Sequence, residues 1–380
     1  MMSQATISEQ KLITINREAL LKPLSLIASI IDRKQVLPIL SHVLLQVKDC
    51  LLTLTGTDSE IELIQKIPLI DADTPRFDLA VPAKKFYDIC RTLPSGAELQ
   101  LSQRGEQLIV RSDRSRFVLS LISTADFPSV EKTEIPSLSF PIQATVLNNL
   151  FKKTSFSIAQ QDVRFFFNGL LLSLQGNTCT ATATDGHRLS SSAKSIDFKA
   201  NSAFQVLIPR KAIFELTKLL EVDQEALVEF QIASNHISVG SNEFIFTSKL
   251  IDGAFPDYKQ IIPRNAENLA IIAKDELKNA LLRVATLCNE KYRGAWIYFE
   301  QDKLRLHTNN PDRDEAEEEL SLNYRGKDIR IGCNINYLMD VLNVIDADFV
   351  HIHLVDTDKS ILIDSETCPD DQYVIMPLCL

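Results

Sequence analysis

Within TATATDGHRLS, residues Thr180 to Ser190, an aspartate and a histidine stand two positions apart, Asp185 and His187. A carboxylate beside an imidazole can hold a metal ion or move a proton. The run PDRDEAEEE, Pro311 to Glu319, offers further carboxylates. The chemistry these types allow is that of a metal-dependent nuclease or phosphatase. A histidine near an aspartate is more often structural, however, when no nucleophile or metal-ligand spacing accompanies it. His351 and His353 share one strand face but have no third ligand at a recognisable spacing, so no metal is assigned to them. The chain also lacks GxxxxGK[ST], GxGxxG, GxSxG and HExxH, and holds only 11 glycines in 380 residues. A phosphate-cradling loop or nucleophile elbow needs such glycines for backbone reasons. Seven dispersed cysteines without a CxxC pair suit reduced thiols better than zinc. No cofactor is expected, and the enzyme reading takes second place.

The elements that position these residues recur. TLTGTD ends at Asp58, TATATD at Asp185 and RLHTNN at Asn310, positions separated by 127 and 125 residues. VPAKKFYDICRTL, IPRKAIFELTKLL and CNINYLMDVLNVI repeat the interval, because Pro82, Pro209 and Asn334 are again 127 and 125 apart. Phe127-Pro128 and Phe255-Pro256 are offset by 128. A shared period of domain size predicts three similar domains in tandem. Their limits are expected at 1–130, 131–260 and 261–380, in the polar, proline-bearing stretches Ser129–Ser139 and Asp257–Leu269.

Each third reads helix, strands, helix, strands. Helical spacing marks Arg17–Ile31, Pro82–Leu93, Val146–Ala159, Pro209–Leu220, Glu276–Cys288 and Asn334–Ile345. Alternating segments such as HVLLQVKD, FFFNGLLLSLQG and KLRLHTNN read as strands. Two helices plus about eight antiparallel strands per unit give an α+β class, with sheets that must pair with neighbouring sheets.

The formal charge is −10, yet the six helix candidates, counted with the flanking Glu221 and Asp275, carry twelve basic against seven acidic side chains. For a single helix that bias is an ordinary solvated face; summed over the six, it favours helices that face a polyanion. Contacts of that kind neutralise phosphates without reading bases, so binding is expected to be sequence-independent and salt-dependent. No apolar run is long enough to span a bilayer. The N-terminus lacks the basic-then-apolar order of a signal peptide, so the cytoplasm is the expected location.

LLKPLSLI, LTGTDSEIE, VPAKKFYDICRTLP, FSIAQQDVRFFFNG, TATDGHRL, FIFTSKLIDGAFPDY, NNPDRDEAEEE and YVIMPLCL together resemble the beta subunit of bacterial DNA polymerase III, the sliding clamps, over nearly the whole chain after about Lys11. The resemblance implies the DNA-clamp fold and a head-to-tail homodimer. Such a ring of six domains encircles double-stranded DNA topologically, without catalysis. It implies as partners the clamp-binding-motif peptides of DNA polymerases, the clamp loader and repair proteins.

By resemblance, a peptide groove falls on Phe167, Thr184, Gly186, His187, Arg188, Leu189, Pro256, Gln260, Ile261, Asn334, Tyr337, Ser360, Val374, Met376, Pro377 and Leu378. DNA contacts fall on Lys34, Lys85, Gln161, Phe165, Phe166, Lys211, Tyr292 and Arg293. The dimer seam takes Lys85, Arg111, Arg114, Arg116, Phe117, Arg283, Thr286, Leu287, Asp312, Asp314, Glu315, Glu317 and Glu318, with arginines facing carboxylates. Strand alternation places Arg114 and Arg116 on one face and Phe117 on the other. Three positions depart from the family's pattern. Gln260 stands where a basic groove residue is expected, Cys379 replaces an arginine, and Thr286 is less apolar than the seam would favour.

Overall fold

The computed structural model describes residues 8–31, 37–71, 74–130, 136–263 and 267–378. Each third of the chain follows one order: strand, helix, four strands, helix, three strands. The first runs β1 (Gln10–Asn16), α1 (Arg17–Ile30), β2 (His42–Lys48), β3 (Leu51–Thr57), β4 (Ile61–Pro68), β5 (Phe77–Pro82), α2 (Ala83–Thr92), β6 (Glu98–Arg104), β7 (Gln107–Ser112) and β8 (Ser115–Ser120). The second runs β9 (Leu138–Gln143), α3 (Ala144–Lys152), β10 (Gly169–Gln175), β11 (Thr178–Thr184), β12 (Arg188–Ser195), β13 (Phe204–Pro209), α4 (Arg210–Leu220), β14 (Leu227–Ile232), β15 (His236–Gly240) and β16 (Phe244–Lys249). The third runs β17 (Asn268–Ala273), α5 (Lys274–Ala285), β18 (Gly294–Glu300), β19 (Lys303–Asn309), β20 (Glu315–Ser321), β21 (Ile329–Asn334), α6 (Ile335–Val344), β22 (Phe349–Leu354), β23 (Ile361–Asp364) and β24 (Asp371–Ile375). Three tandem α+β domains result, and every ladder between strands is antiparallel.

The markers of the repeat occupy equivalent places. Asp58, Asp185 and Asn310 each follow the last residue of β3, β11 or β19. Pro82, Pro209 and Asn334 stand directly before α2, α4 and α6. At Asn334 the side chain caps the helix by accepting the Asn336 N–H at 2.9 Å.

Compactness cuts across the repeat. One unit comprises Met1–Ala144 with Lys218–Leu250, the other Thr145–Thr217 with Ile251–Leu380. The reason is the middle domain, whose two half-sheets are each hydrogen-bonded into a different neighbour. In the first unit β4 pairs with β16, joining eight strands in the order β5-β2-β3-β4-β16-β15-β14-β9. In the second unit β12 pairs with β24, giving β13-β10-β11-β12-β24-β23-β22-β17. Each unit also holds a four-stranded sheet, β1-β6-β7-β8 in the first and β20-β19-β18-β21 in the second.

Helices lie on these sheets through apolar stripes. Leu20, Leu24, Ile27 and Ile30 bury one face of α1, each such side chain stabilising the fold by roughly 2 kcal/mol relative to exposure. Gly56 of β3 makes this approach possible, since a Cβ there would lie 2.5 Å from Cγ2 of Ile27. Leu277, Ala280, Leu281 and Val284 do the same for α5, and Ile335, Leu338, Val341 and Leu342 for α6.

Several local expectations change. The third helix ends at Lys152 instead of running to Ala159, because the Thr154 hydroxyl donates back to the Leu150 carbonyl at 2.6 Å and a short turn follows. Phe165–Asn168 form a 3-10 turn before β10 and are not strand. Arg114 sits with Asp113 in the turn between β7 and β8, where Asp113 takes φ +47°, so it does not share a strand face with Arg116. Six strands that precede helices, β1, β5, β9, β13, β17 and β21, are short and lie next to helical periodicity that obscures them. β20 was hidden by its acidity: cross-strand pairs such as Lys303–Glu319 at 2.6 Å make a run of carboxylates compatible with a strand.

Candidate functional site

The TDG segment begins with backbone geometry shared by two domains. In the first, the Thr57 hydroxyl donates to the Ile61 carbonyl at 2.8 Å and accepts the Ser59 N–H at 3.0 Å, while Asp58 Oδ1 accepts the N–H groups of Glu60 and Ile61 at 2.9 and 2.7 Å. In the second, Thr184 donates to the Arg188 carbonyl at 2.6 Å and accepts the Gly186 N–H at 3.1 Å. Asp185 Oδ1 accepts from the backbones of His187 and Arg188 at 2.9 and 3.0 Å. Ser59 and Gly186 share the left-handed position of this turn, with φ of +79° and +87°. Asp185 is therefore a turn-forming residue. Its other oxygen accepts from Arg188 Nε at 3.0 Å, so both oxygens hold the turn and the arginine that follows it.

What sets the second turn apart is its surroundings. The Arg188 guanidinium, only 12% exposed, donates to Asp340 Oδ2 at 2.6 Å and to the Phe156 carbonyl at 2.5 Å. It lies 4.4 Å from the Tyr337 ring centre and 5.3 Å from that of Phe156. Burial, with the Asp185 carboxylate nearby, raises the Tyr337 phenol above its ordinary value. Arg164 packs against Gly186, where a Cβ would meet its guanidinium at 3.0 Å, and lies over Phe167 at 4.4 Å. The Arg164 ion pair holds Asp162 down at about 2.

Beside this polar cluster lies an apolar one. Leu189 of β12, Val374 of β24 and Leu362 of β23 form a buried floor, with Tyr258, Ile261 and Ile262 packed on it half-exposed. Met376 stands 36% exposed at the end of β24, whose course is held by its N–H donating to the His187 carbonyl at 2.9 Å. A ladder of rings, Phe165, Phe166, Phe167, Phe255 and Tyr258, leads to the floor with centres 4.7–6.4 Å apart. A cleft of about 420 Å³ opens between Gln260, Ile261, Ile262, Pro263, Val355, Lys359 and Ser360. Such a surface accepts apolar anchors of an extended segment, with polar groups at its margin.

Most of the expected groove residues thus gather in one place. Pro256 is half-buried between Phe255 and Asp257. Gln260 donates to Asp257 Oδ2 at 2.8 Å, and Lys359 brings a cation to the cleft that Gln260 lines. Leu378 goes elsewhere: its N–H donates to the Gly332 carbonyl at 2.8 Å, and it lines a separate cleft with Tyr292, Trp296 and Pro311. Asn334 reaches the Tyr292 carbonyl at 3.3 Å, and Pro377 is half-buried. Sequence reasoning missed Arg164, Phe156, Tyr258, Asp340 and Leu362. Only the alternation of SILIDSE gave a signal, for Leu362.

Among the expected DNA-facing residues, Lys34 lies outside the described residues. Lys85 is exposed on α2 and Lys211 half-buried on α4. Gln161 and Arg293 hold positive φ in loops, +57° and +49°. Phe165 and Tyr292 are 57% and 55% exposed, and Phe166 packs edge-on to Phe165. The observed helices carry twelve basic and six acidic residues, +6 against a whole-chain charge of −10.

The expected seam residues cluster on and near β8 and β20. Arg116, Glu315 and Glu317 are exposed and Phe117 half-buried. Arg283, Glu318 and Arg111, three of the expected cross-seam groups, already have partners in their own chain. Arg283 pairs with Glu318 at 2.6 and 2.9 Å, and Arg111 pairs with Glu9. Thr286 donates to the Arg283 carbonyl at 2.7 Å, while Leu287 is half-buried. Asp314 accepts from Asn310 at 3.0 Å in the turn that carries exposed Asp312.

Comparison with known proteins gives one consistent result. Family models for the N-terminal, central and C-terminal domains of the DNA polymerase III beta subunit match residues 12–131, 141–257 and 259–379. The chain is 43% identical to the beta sliding clamp of Pseudomonas aeruginosa over 367 residues, 97% of this chain and 99% of the relative. It is 40% identical to that of Escherichia coli K12 over the same 97% and 99%. The crystal structure of the Pseudomonas aeruginosa clamp bound to griselimycin superposes with a TM-score of 0.94, at 42% identity over 98% of this chain and 100% of that one.

Proposed function

Because the chain belongs to the DNA polymerase III beta subunit family and is a DNA sliding clamp, we propose that two copies close head to tail into a ring that carries DNA polymerases and repair proteins along duplex DNA. The observation that carries the ring is a matched pair of free strand edges. β4 pairs with β16 and β12 with β24, each time joining the strand that follows the TD turn to the last strand of the next domain. The third strand of the first kind is β20 and the remaining strand of the second kind is β8; both stand at sheet edges. Closing β20 of one copy on β8 of another repeats the same joint. A heterologous contact of this kind gives a ring when its rotation closes.

The helix lysines, with Gln161, Phe165, Tyr292 and Arg293, contact the phosphate backbone in this reading, and the acidic remainder repels DNA elsewhere. The groove around Leu189, Val374, Leu362 and Met376 takes apolar anchors of partner peptides, including those of a clamp loader that opens the ring. Lys359 supplies the positive margin. The protein performs no reaction of its own and works in the cytoplasm, with domain limits near residues 130 and 260.

The test is retention on nicked circular DNA after loading, at salt high enough to screen phosphate contacts. The clamp stays on circles and is lost when they are linearised. Equal loss from both forms refutes a closed ring.

A further inference from the structure

Outside the groove, the outer face of the second eight-stranded sheet brings together two imidazoles and a carboxylate. His351 and His353 alternate with the core residues Val350, Ile352 and Leu354 along β22, so both point away from the core. On β23, Asp364 lies opposite His351 and Leu362 opposite His353. The register therefore supplies the third donor that spacing along the chain does not reveal. Asp364 Oδ1 lies 3.5 Å from His351 Nδ1, and Oδ2 lies 3.0 Å from His353 Nε2. The two rings stand nearly perpendicular, at 80°, with centres 6.4 Å apart. All three donor atoms fall within 4.8 Å of one another, and the side chains are 20%, 25% and 16% exposed.

We propose that His351, His353 and Asp364 form a binding site for a divalent transition-metal ion. The edge of a tetrahedron with bonds of about 2.0–2.1 Å is about 3.3 Å; the separations of 3.5 and 3.0 Å lie on either side of it, one on each carboxylate oxygen, so an ion between the rings would meet both oxygens of Asp364. Two imidazoles and one carboxylate select zinc, cobalt, nickel or copper over magnesium and calcium, which prefer oxygen donors. Partial exposure leaves room for water at the remaining coordination positions. Without metal, the carboxylate accepts an imidazole N–H. With metal, the same three groups staple β22 to β23, next to Leu362 and the apolar floor of the groove.

The experiment titrates the full chain, freed of metal by chelation, with cobalt(II), and reads the visible ligand-field absorption. One cobalt per chain, displaced by zinc, with at least a tenfold loss of affinity in a His351→Gln/His353→Gln double variant, supports the site. Asp364→Asn is measured in parallel, and weaker binding with an unchanged circular-dichroism spectrum separates ligation from folding. Absence of a cobalt band at millimolar metal overturns the proposal. So does equal affinity in the variants, or a thiolate charge-transfer band that places the ion on the cysteines.

Discussion

The joints inside the chain, β4·β16 and β12·β24, and the sheet edges left open, β8 and β20, are built from equivalent strands but from different residues. At the β4·β16 joint Ile64 faces Ile245 and Leu63 faces Phe246, with Leu63 and Phe246 fully buried. At β12·β24 Leu189 faces Val374, and buried Asp371 accepts from Ser192 at 2.5 Å while pairing with Lys153. The open strands differ. On β8 Arg116, Val118 and Ser120 are exposed, and on β20 every second residue is, Glu315, Glu317 and Glu319 among them. These permanent joints are stabilised by buried apolar surface with most polar groups paired, although the Tyr373 hydroxyl of β24 is buried without a partner among the described residues. An edge that must stay soluble when free needs charge, which also deters pairing with wrong edges.

The largest effect is expected from breaking a permanent joint. Asp371, with a side chain 4% exposed, faces Lys153 at 15%. Asp371→Ala strands that lysine and should destabilise the second unit by about 3 kcal/mol, read by urea unfolding. The charged edge should respond differently. Arg116→Glu should leave chain stability unchanged and weaken the dimer roughly tenfold in sedimentation equilibrium, with the deficit shrinking as salt rises. If unfolding shifts instead, β8 is a folding element and not a docking edge.

Smaller effects test surfaces that belong to neither joint nor edge. Met376→Ala removes an exposed anchor and should lower binding of a Leu- or Phe-bearing extended peptide by roughly tenfold without moving the melting temperature. The smallest concerns His42 at the start of β2, whose Nδ1 lies 2.8 Å from the Pro38 carbonyl. Burial holds this imidazole below its ordinary value, against the opposing pull of the Pro38 carbonyl. The unfolded chain then takes up the proton first as pH falls. Stability should therefore be full above about 6.5 and decline below it, toward the folded-state value. His42→Gln should flatten that slope in pH-dependent thermal melts.

The chain's local periods determined much of this protein. The 127- and 125-residue intervals fixed three domains, and the apolar stripes fixed six helices with their basic bias. Asp185 and His187 looked like catalytic equipment only while Asp185 was considered without Asp58. Their identical turns show that a recurrent motif can specify backbone geometry. Strands beside helices were illegible because a six-residue strand has too few periods to stand out from an adjoining amphipathic helix. What the tertiary structure alone decided is which residues become neighbours across strands. Arg188 meets Asp340 across 152 residues, and His353 meets Asp364 through the register of β22 on β23. Leu378 turns to the Tyr292 cleft because its backbone bonds Gly332. Periodicity records which face a side chain occupies; only closure of the sheets records what lies opposite it.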